Sequence, residues 1–206
     1  MVMNILFSSI YILCVFYLIN HQVNLKKAAQ SAKDAIYPKT ESEFDSILIP
    51  TEWKAMEPLT KKTKSYQLVK WGTIISLILL SFILWIVLFT TWLESSIFTL
   101  AYIFFVILKL IHHRGNLYIL PKGLILFGKY YSLNQVKNYT IEKIVIWHEL
   151  YGLDPSVNNG YKLSINIKKK FNSYSKFVVI KDVDHLNKMI NLLEENGIRQ
   201  GPKEQS

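Results

Sequence analysis

Few side chains in this sequence are suited to catalysis, and their spacing decides what they can do. The chain has 206 residues, with five histidines and one cysteine. Cys14 lies in an apolar segment with no second thiol to meet, which excludes an intrachain disulfide and a cysteine-built metal site. His112 and His113 are adjacent, and adjacent helical residues point about 100° apart. No carboxylate or third ligand is near them in sequence, so the pair does not read as a metal centre. His148 and Glu149 occur in WHEL, but no second histidine follows four residues after the first. The zinc-protease helix is therefore missing, and the local composition reads as the end of a strand. His185 stands alone near a helix start, and there is no glycine-rich phosphate loop. Ser76, Ser81 and Thr90 are expected to hydrogen-bond back to their own helices. These residue types at these spacings predict a protein that is not an enzyme and that uses no cofactor or metal.

The remaining chemistry is cationic. The formal net charge is +9, yet half of the residues are hydrophobic, so membrane-like and basic compositions coexist. Lys61, Lys62, Lys64 and Lys70 gather before a long apolar run, and Lys168, Lys169 and Lys170 form a basic tip further on. Both groups are candidate contacts for anionic lipid headgroups, at about 1 kcal/mol per lysine near a charged surface. Such a cluster before a span more often sets membrane topology, and such a tip is more often a solvated turn.

That long apolar run fixes where everything else must lie. Residues 71–92, WGTIISLILLSFILWIVLFTTW, carry no charge and are apolar on every side, with Trp71 and Trp92 at the two ends. About 20 such residues cross the hydrocarbon layer as a helix, and indoles favour its interfaces. A turn follows, then a second apolar run, so residues 71–113 read as a transmembrane hairpin of about 71–92 and 96–113. Lys109 can raise its ammonium to the interface beside His112, His113 and Arg114. Residues 1–20 read as a first transmembrane helix; lysines follow it rather than precede it, which favours a retained anchor, although the small residues at 28–32 imitate a cleavage site. The architecture expected is thus three transmembrane helices and a C-terminal domain.

Residues 21–70 are expected to form a cytoplasmic loop with helical segments. Leu25, Ala28, Ala29, Ala32, Ala35 and Ile36 extend helix one by a few turns until Pro38. Phe44, Ile47, Leu48, Ile49, Trp53 and Met56 form an apolar patch broken by Pro50. It is either an interfacial helix or a segment packed on the tail domain. Residues 20–70 hold nine of the 24 Lys and Arg, and residues from 109 onward hold the other fifteen. The positive-inside rule then places the protein in the cell membrane as a multi-pass chain, N-terminus outside, with residues 20–70 and the tail in the cytoplasm. Insertion accounts for much of the basic charge, so no nucleic-acid partner is expected.

Residues 116–198 change to short segments rich in β-branched and aromatic residues. Segments 117–120 and 124–127 flank Pro121, Lys122 and Gly123, the composition of a tight turn. Segments 129–133, 141–147, 161–167 and 176–180 follow as strands, the third alternating apolar and polar residues. Asp182 or Asp184 can cap a last helix with a stripe of Leu186, Met189, Ile190 and Leu193, which Gly197 ends. About six or seven strands closed by one helix make an α+β domain with a curved antiparallel sheet. Residues 199–206 read as a flexible tail.

The segments LYILPKGLILFGKYYSLNQVKNYTIEK, YKLSINIKKK, KFVVI and DHLNKMINLLEENG resemble the bacterial pleckstrin-homology-like (PH-like) domains carried as cytoplasmic tails by small membrane proteins. The resemblance covers about residues 116–198, and a similar layout occurs in a bacteriocin immunity protein. A folded tail without catalytic chemistry leads to the expectation of a non-catalytic membrane protein whose tail binds a protein partner, in regulation of a membrane complex or in immunity to a membrane-acting peptide. Phosphoinositide-binding relatives use several basic residues around the first hairpin, where this chain has Lys122 and little else. Two alternatives stand beside this expectation. One is an anionic-lipid sensor built on the two lysine groups; the other is a structural subunit packing through the aromatic surface of Tyr102, Phe104 and Phe105.

Overall fold

A computed structural model of the chain describes residues 2–89, 102, 105–106, 115–168 and 173–202. They fall into two compact units, one of residues 1–26 with 61–113 and one of residues 27–60 with 114–206. In the first, α1 (Val2–Ser31) and α3 (Lys64–Phe89) run antiparallel. On α1, Phe7, Cys14, Leu18 and Leu25 are buried, and on α3, Tyr66, Val69, Thr73, Ser76 and Leu80 are. Their spacings of three, four and seven make the narrow seam of a helical pair rather than a broad core face. Tyr11 reaches across it to Ser81, with 2.9 Å between the hydroxyl oxygens. Ser81 also donates to its own helix at Leu77 O, as expected, and Thr73 donates to Val69 O.

Outside the seam the helices keep large apolar side chains exposed, among them Phe16, Ile78 and Phe82. One helical stretch, Lys64–Ile86, is long and apolar enough to cross a membrane. It begins before the expected residue 71, so Lys64 and Lys70 lie on the helix rather than in a loop ahead of it. The expected span 96–113, with Lys109, His112, His113 and Arg114, lies outside the described residues, as does Thr90. Of the aromatic trio, Tyr102 and Phe105 are exposed and Phe104 lies outside the described residues.

The second unit is a mixed α/β body. Strands β3 (Leu117–Leu120), β4 (Gly123–Leu126) and β5 (Lys129–Ser132) form a three-stranded antiparallel meander. The expected hairpin is present, with Leu120 paired to Gly123 across Pro121 and Lys122. Phe127 and Gly128 both take positive φ between β4 and β5, a turn whose twist matches that of the strands. Strands β6 (Val136–Lys143), β7 (Tyr161–Lys168) and β8 (Ser173–Ile180) form a second antiparallel meander. Helix α4 (Val183–Glu195) buries Leu186, Met189 and Leu193 and contacts β3 and β8. Asp182 occupies its N-cap position without a side-chain hydrogen bond, and Gly197, at φ +77, follows its end.

Three expectations change here. Among the described residues the strands do not form one sheet closed by a helix; they form two open sheets, of five and three strands. Residues 44–56 are not an interfacial helix. Helix α2 (Glu41–Ser46) stops, and β1 (Ile47–Ile49) and β2 (Lys54–Ala55) extend the tail's larger sheet in the order β2-β1-β8-β7-β6. The physical reason is that Ile47, Leu48 and Ile49 are β-branched or apolar and all buried, and each such side chain gains about 1.5–3 kcal/mol on leaving water. Residues 199–201 are not a free tail either: Tyr139 N–H donates to Arg199 O, and Gly201 N–H donates to Tyr139 O.

Side chains fasten the 27–60 segment as well. Tyr37, fully buried, exchanges backbone hydrogen bonds with Ile119 and sets its hydroxyl 3.3 Å from His185 Nδ1. Leu59 N–H donates to the Tyr118 hydroxyl. Glu43 is almost fully buried, and Lys188 on α4 reaches it at 2.6 Å. Burial opposes the charge on Glu43, but Lys188 and the N–H groups of Lys39 and Thr40 outweigh it and hold the carboxyl at about 2.

Two outcomes follow for the purified full chain. The folded Glu43 carboxyl lies below its ordinary 4.5, so its stabilisation is complete above that pH and drains as pH falls toward 2. Glu43→Gln is expected to lose about 1–3 kcal/mol at pH 7 and to show a smaller further loss between pH 5 and 3 than wild type, read by denaturant titration. Gly123→Ala brings a Cβ against the Tyr131 carbonyl oxygen and within 2.8 Å of the Tyr130 hydroxyl. Thermal melting should register a loss of about 1–3 kcal/mol.

Candidate functional site

Between β6 and β7 the chain takes a long excursion, residues 144–160, instead of a tight turn. Sequence reasoning carries a strand to Trp147, but β6 ends at Lys143, and residues 144–147 open this loop. The excursion is closed at its base like a loop on a ladder: Ile144 N–H donates to Gly160 O, and Asn159 N–H returns to Ile144 O. Beneath it Ile144, Leu150 and Val157 pack on Leu48 of β1 and Val179 of β8, with Trp53 and Phe177 at the margin. Asp154 Oδ1 accepts from the Ser156 N–H, and Asn158 Oδ1 accepts from the Gly152 N–H. Gly152 adopts φ +81, where a side chain is strained.

A charged cluster braces one flank. Glu142 Oε2 lies 3.1 Å from His148 Nε2 and 3.3 Å from Lys162 Nζ, and Lys162 also reaches Glu149 at 2.8 Å. The Leu150 N–H donates to His148 Nδ1, so that nitrogen is the bare one and Nε2 carries the hydrogen directed at Glu142. Burial works against the charge on Lys162, but Glu149 and Glu142 more than offset it and raise its pKa. Lys162 in turn holds the Glu149 carboxyl below its usual range. His148 and Glu149 are therefore parts of a brace. No group of three His, Cys, Asp or Glu among the described residues is arranged to hold a metal.

What this brace holds up is apolar. Val145, Ile146, Trp147 and Leu153 are exposed, and Trp147 is 93% exposed. An uncovered indole among other exposed apolar side chains, on a loop with its own small core, forms an apolar surface patch of the kind found at interaction sites. Sequence reasoning missed it because Trp147 reads as the end of a strand; the signal available was Gly152, Pro155 and Gly160 marking a loop around it.

The lysines singled out from sequence are dispersed. Lys61 and Lys70 line a cleft of about 500 Å³ between α1 and α3, and Lys26 of α1, which sequence reasoning left out, joins them. Lys62 and Lys64 do not line it. Lys168 is exposed at the end of β7, and Lys169 and Lys170 lie outside the described residues. A face signal for Lys26 was present, since Ile19, Val23 and Lys26 recur at helical spacing, as Lys70, Ile74 and Leu77 do on α3.

Substitutions should separate support from display. Leu150→Ala or Val157→Ala is expected to cost about 2–4 kcal/mol and to speed amide exchange across residues 145–157, whereas Trp147→Ala should move stability by less than about 0.5 kcal/mol. Equal effects from all three would show the indole to be core. Compared with known protein families, with curated proteins and with solved structures, the chain matches none.

Proposed function

We propose that this is a non-catalytic integral membrane protein whose cytoplasmic α/β unit, of the pleckstrin-homology-like kind, docks a protein partner. The observation that carries the reading is the braced loop with Trp147 exposed on it. Aromatic anchors dominate binding energy at protein interfaces, and a rigid presenter loses little conformational freedom on binding. The flank carries two carboxylates, Glu142 and Glu149, against the one ammonium of Lys162 that pairs with both, and so keeps a net negative charge. An exposed apolar patch beside net negative charge suits a partner protein with an apolar pocket better than an anionic lipid surface.

The membrane part of the reading rests on α3, on the lysine distribution and on the outward apolar side chains of both long helices. The N-terminus is then outside and the α/β unit inside. Within that setting the domain regulates a membrane complex or protects it from a membrane-acting peptide. An anionic-lipid sensor is the second reading, favoured by the lysine-lined cleft.

A photoreactive amino acid at position 147, with a matched one at exposed Lys137, tests the first reading in native membranes. Position 147 is expected to give one dominant protein adduct that position 137 does not, and Leu150→Ala should diminish it at equal protein level. Adducts to lipid alone, or identical products from both positions, would sink partner docking through this loop.

A further inference from the structure

The cleft between α1 and α3 has a direction. Its three cations, Lys26, Lys61 and Lys70, belong to residues at the polar ends of the two helices, where Lys61 precedes α3 and Lys70 lies in its second turn. Seven residues beyond Lys70, at about 1.5 Å of rise per residue, the lining has become Ile74 and Leu77, faced by Ile19 on α1. A small molecule filling it meets positive charge at one end and hydrocarbon about 10 Å away at the other.

Among the described residues the charge on the wall is all of one sign: the lining contains three lysines and no Asp or Glu, and no ion pair formed among them involves Lys26, Lys61 or Lys70. Lys70 lies 5.4 Å from the ring centroid of Trp71, a contact that leaves its N–H donors available to an anion. Elsewhere in the chain exposed lysines do find carboxylates, as Lys188 and Lys54 do. The wall also holds an unmet acceptor: Gln22 Oε1 is buried and accepts no hydrogen bond among the described residues. A phosphate oxygen cannot satisfy it, since both accept, whereas a headgroup hydroxyl can donate to it.

We propose that this cleft is a site for one anionic phospholipid, its phosphate held by Lys26, Lys61 and Lys70 and its upper acyl chain along Ile19, Ile74 and Leu77. The volume, about 500 Å³, is that of a ligand site rather than a surface dimple. It accommodates the headgroup and the first part of a chain, while the rest of the chain continues along the exposed apolar faces of the helices. Lysine suits this role because its compact charge takes phosphate oxygens from several directions without the planar geometry that arginine demands. The proposal rests on the membrane reading above, since only there is the apolar end of the cleft continuous with hydrocarbon.

The test uses the purified full chain and graded delipidation followed by native mass spectrometry. Phosphatidylglycerol and phosphatidylcholine of equal chain length are the probes, with myristate as a competitor. One phosphatidylglycerol per chain is expected to survive removal of the rest, with at least tenfold preference over phosphatidylcholine. The triple variant K26Q/K61Q/K70Q should lose that preference, and K129Q/K137Q/K181Q, equal in charge change but not part of the lining, should keep it. Ile74→Trp fills the apolar end without touching charge and should weaken retention at least fivefold while the melting temperature stays within a few degrees. Equal retention of both lipids, no effect of the lysine triple, or full displacement by equimolar myristate would each overturn a phospholipid site. Alkaline carbonate extraction of native membranes judges the membrane reading separately: release of the chain into the supernatant defeats that reading, whereas a retained chain without lipid preference defeats only the site.

Discussion

The outer edge of β8 sets the terms for the α/β unit. A strand edge presents unpaired N–H and C=O groups, and a buried one has to be covered. Here β1 covers it, with Ile47 opposite Ile180 and Leu48 opposite Val179, and Lys181 N–H adds a bond to Ser46 O. The covering strand comes from far away in the sequence, ahead of α3. A segment that reads as a connecting loop is thereby part of the domain, and the domain is discontinuous in sequence. Glu43 and Lys188 fasten the same joint with an ion pair, and Tyr37 fastens it with backbone bonds to Ile119. Removing β1 would expose the β8 edge and strip Leu48 from the cluster beneath the 144–160 loop. Stability of the sheet and shape of the candidate site thus depend on one strand pairing.

The long excursion after β6 follows from the same arrangement. A hairpin of two residues would leave Val179 and Leu48 facing water, whereas residues 144–160 cap them with Ile144, Leu150 and Val157. Burying those side chains stabilises the loop against the entropy of ordering it, at about 1–2 kcal/mol per residue of backbone. The remaining apolar residues, Val145, Ile146, Trp147 and Leu153 among them, are pushed outward because the space under the loop is already filled. Exposure of the indole is the consequence of a filled core beneath it, not of a loose loop above it.

Local patterns were legible in the sequence where one segment decided its own structure. The hairpin around Pro121 and Lys122, the alternating strand β7, and the Leu186, Met189 and Leu193 stripe of α4 all depend on nearest neighbours, and the structure has them. The continuation of helix one past residue 20 was legible for the same reason. Fates set by distant partners were not. Ile47, Leu48 and Ile49 have the composition of a strand, but Pro50 and the short run make them ambiguous until β8 is known to lie beside them. The number of sheets depends on whether β5 and β6 pair, and a 3-10 turn at Leu133–Gln135 separates them instead. For the lysines, sequence clustering was a poor guide to spatial clustering. Lys26 joins Lys61 and Lys70 because two antiparallel helices bring their ends together, while Lys62, next to Lys61, does not line the cleft.

The two surfaces differ in what they can discriminate. A cleft with three lysines on one side gains about 1 kcal/mol for each lysine near anionic lipid, so its selectivity is for charge and falls as salt rises. An exposed indole gains from burial and shape, a contribution salt hardly weakens, and its selectivity depends on a pocket of matching depth. One protein carrying both can be held by lipid chemistry through its helices and by partner shape through its α/β unit. Because the two energies respond to different variables, ionic strength separates the two proposals: a partner docked on Trp147 is expected to stay bound in salt that weakens a preference of the lysine cleft for anionic lipid.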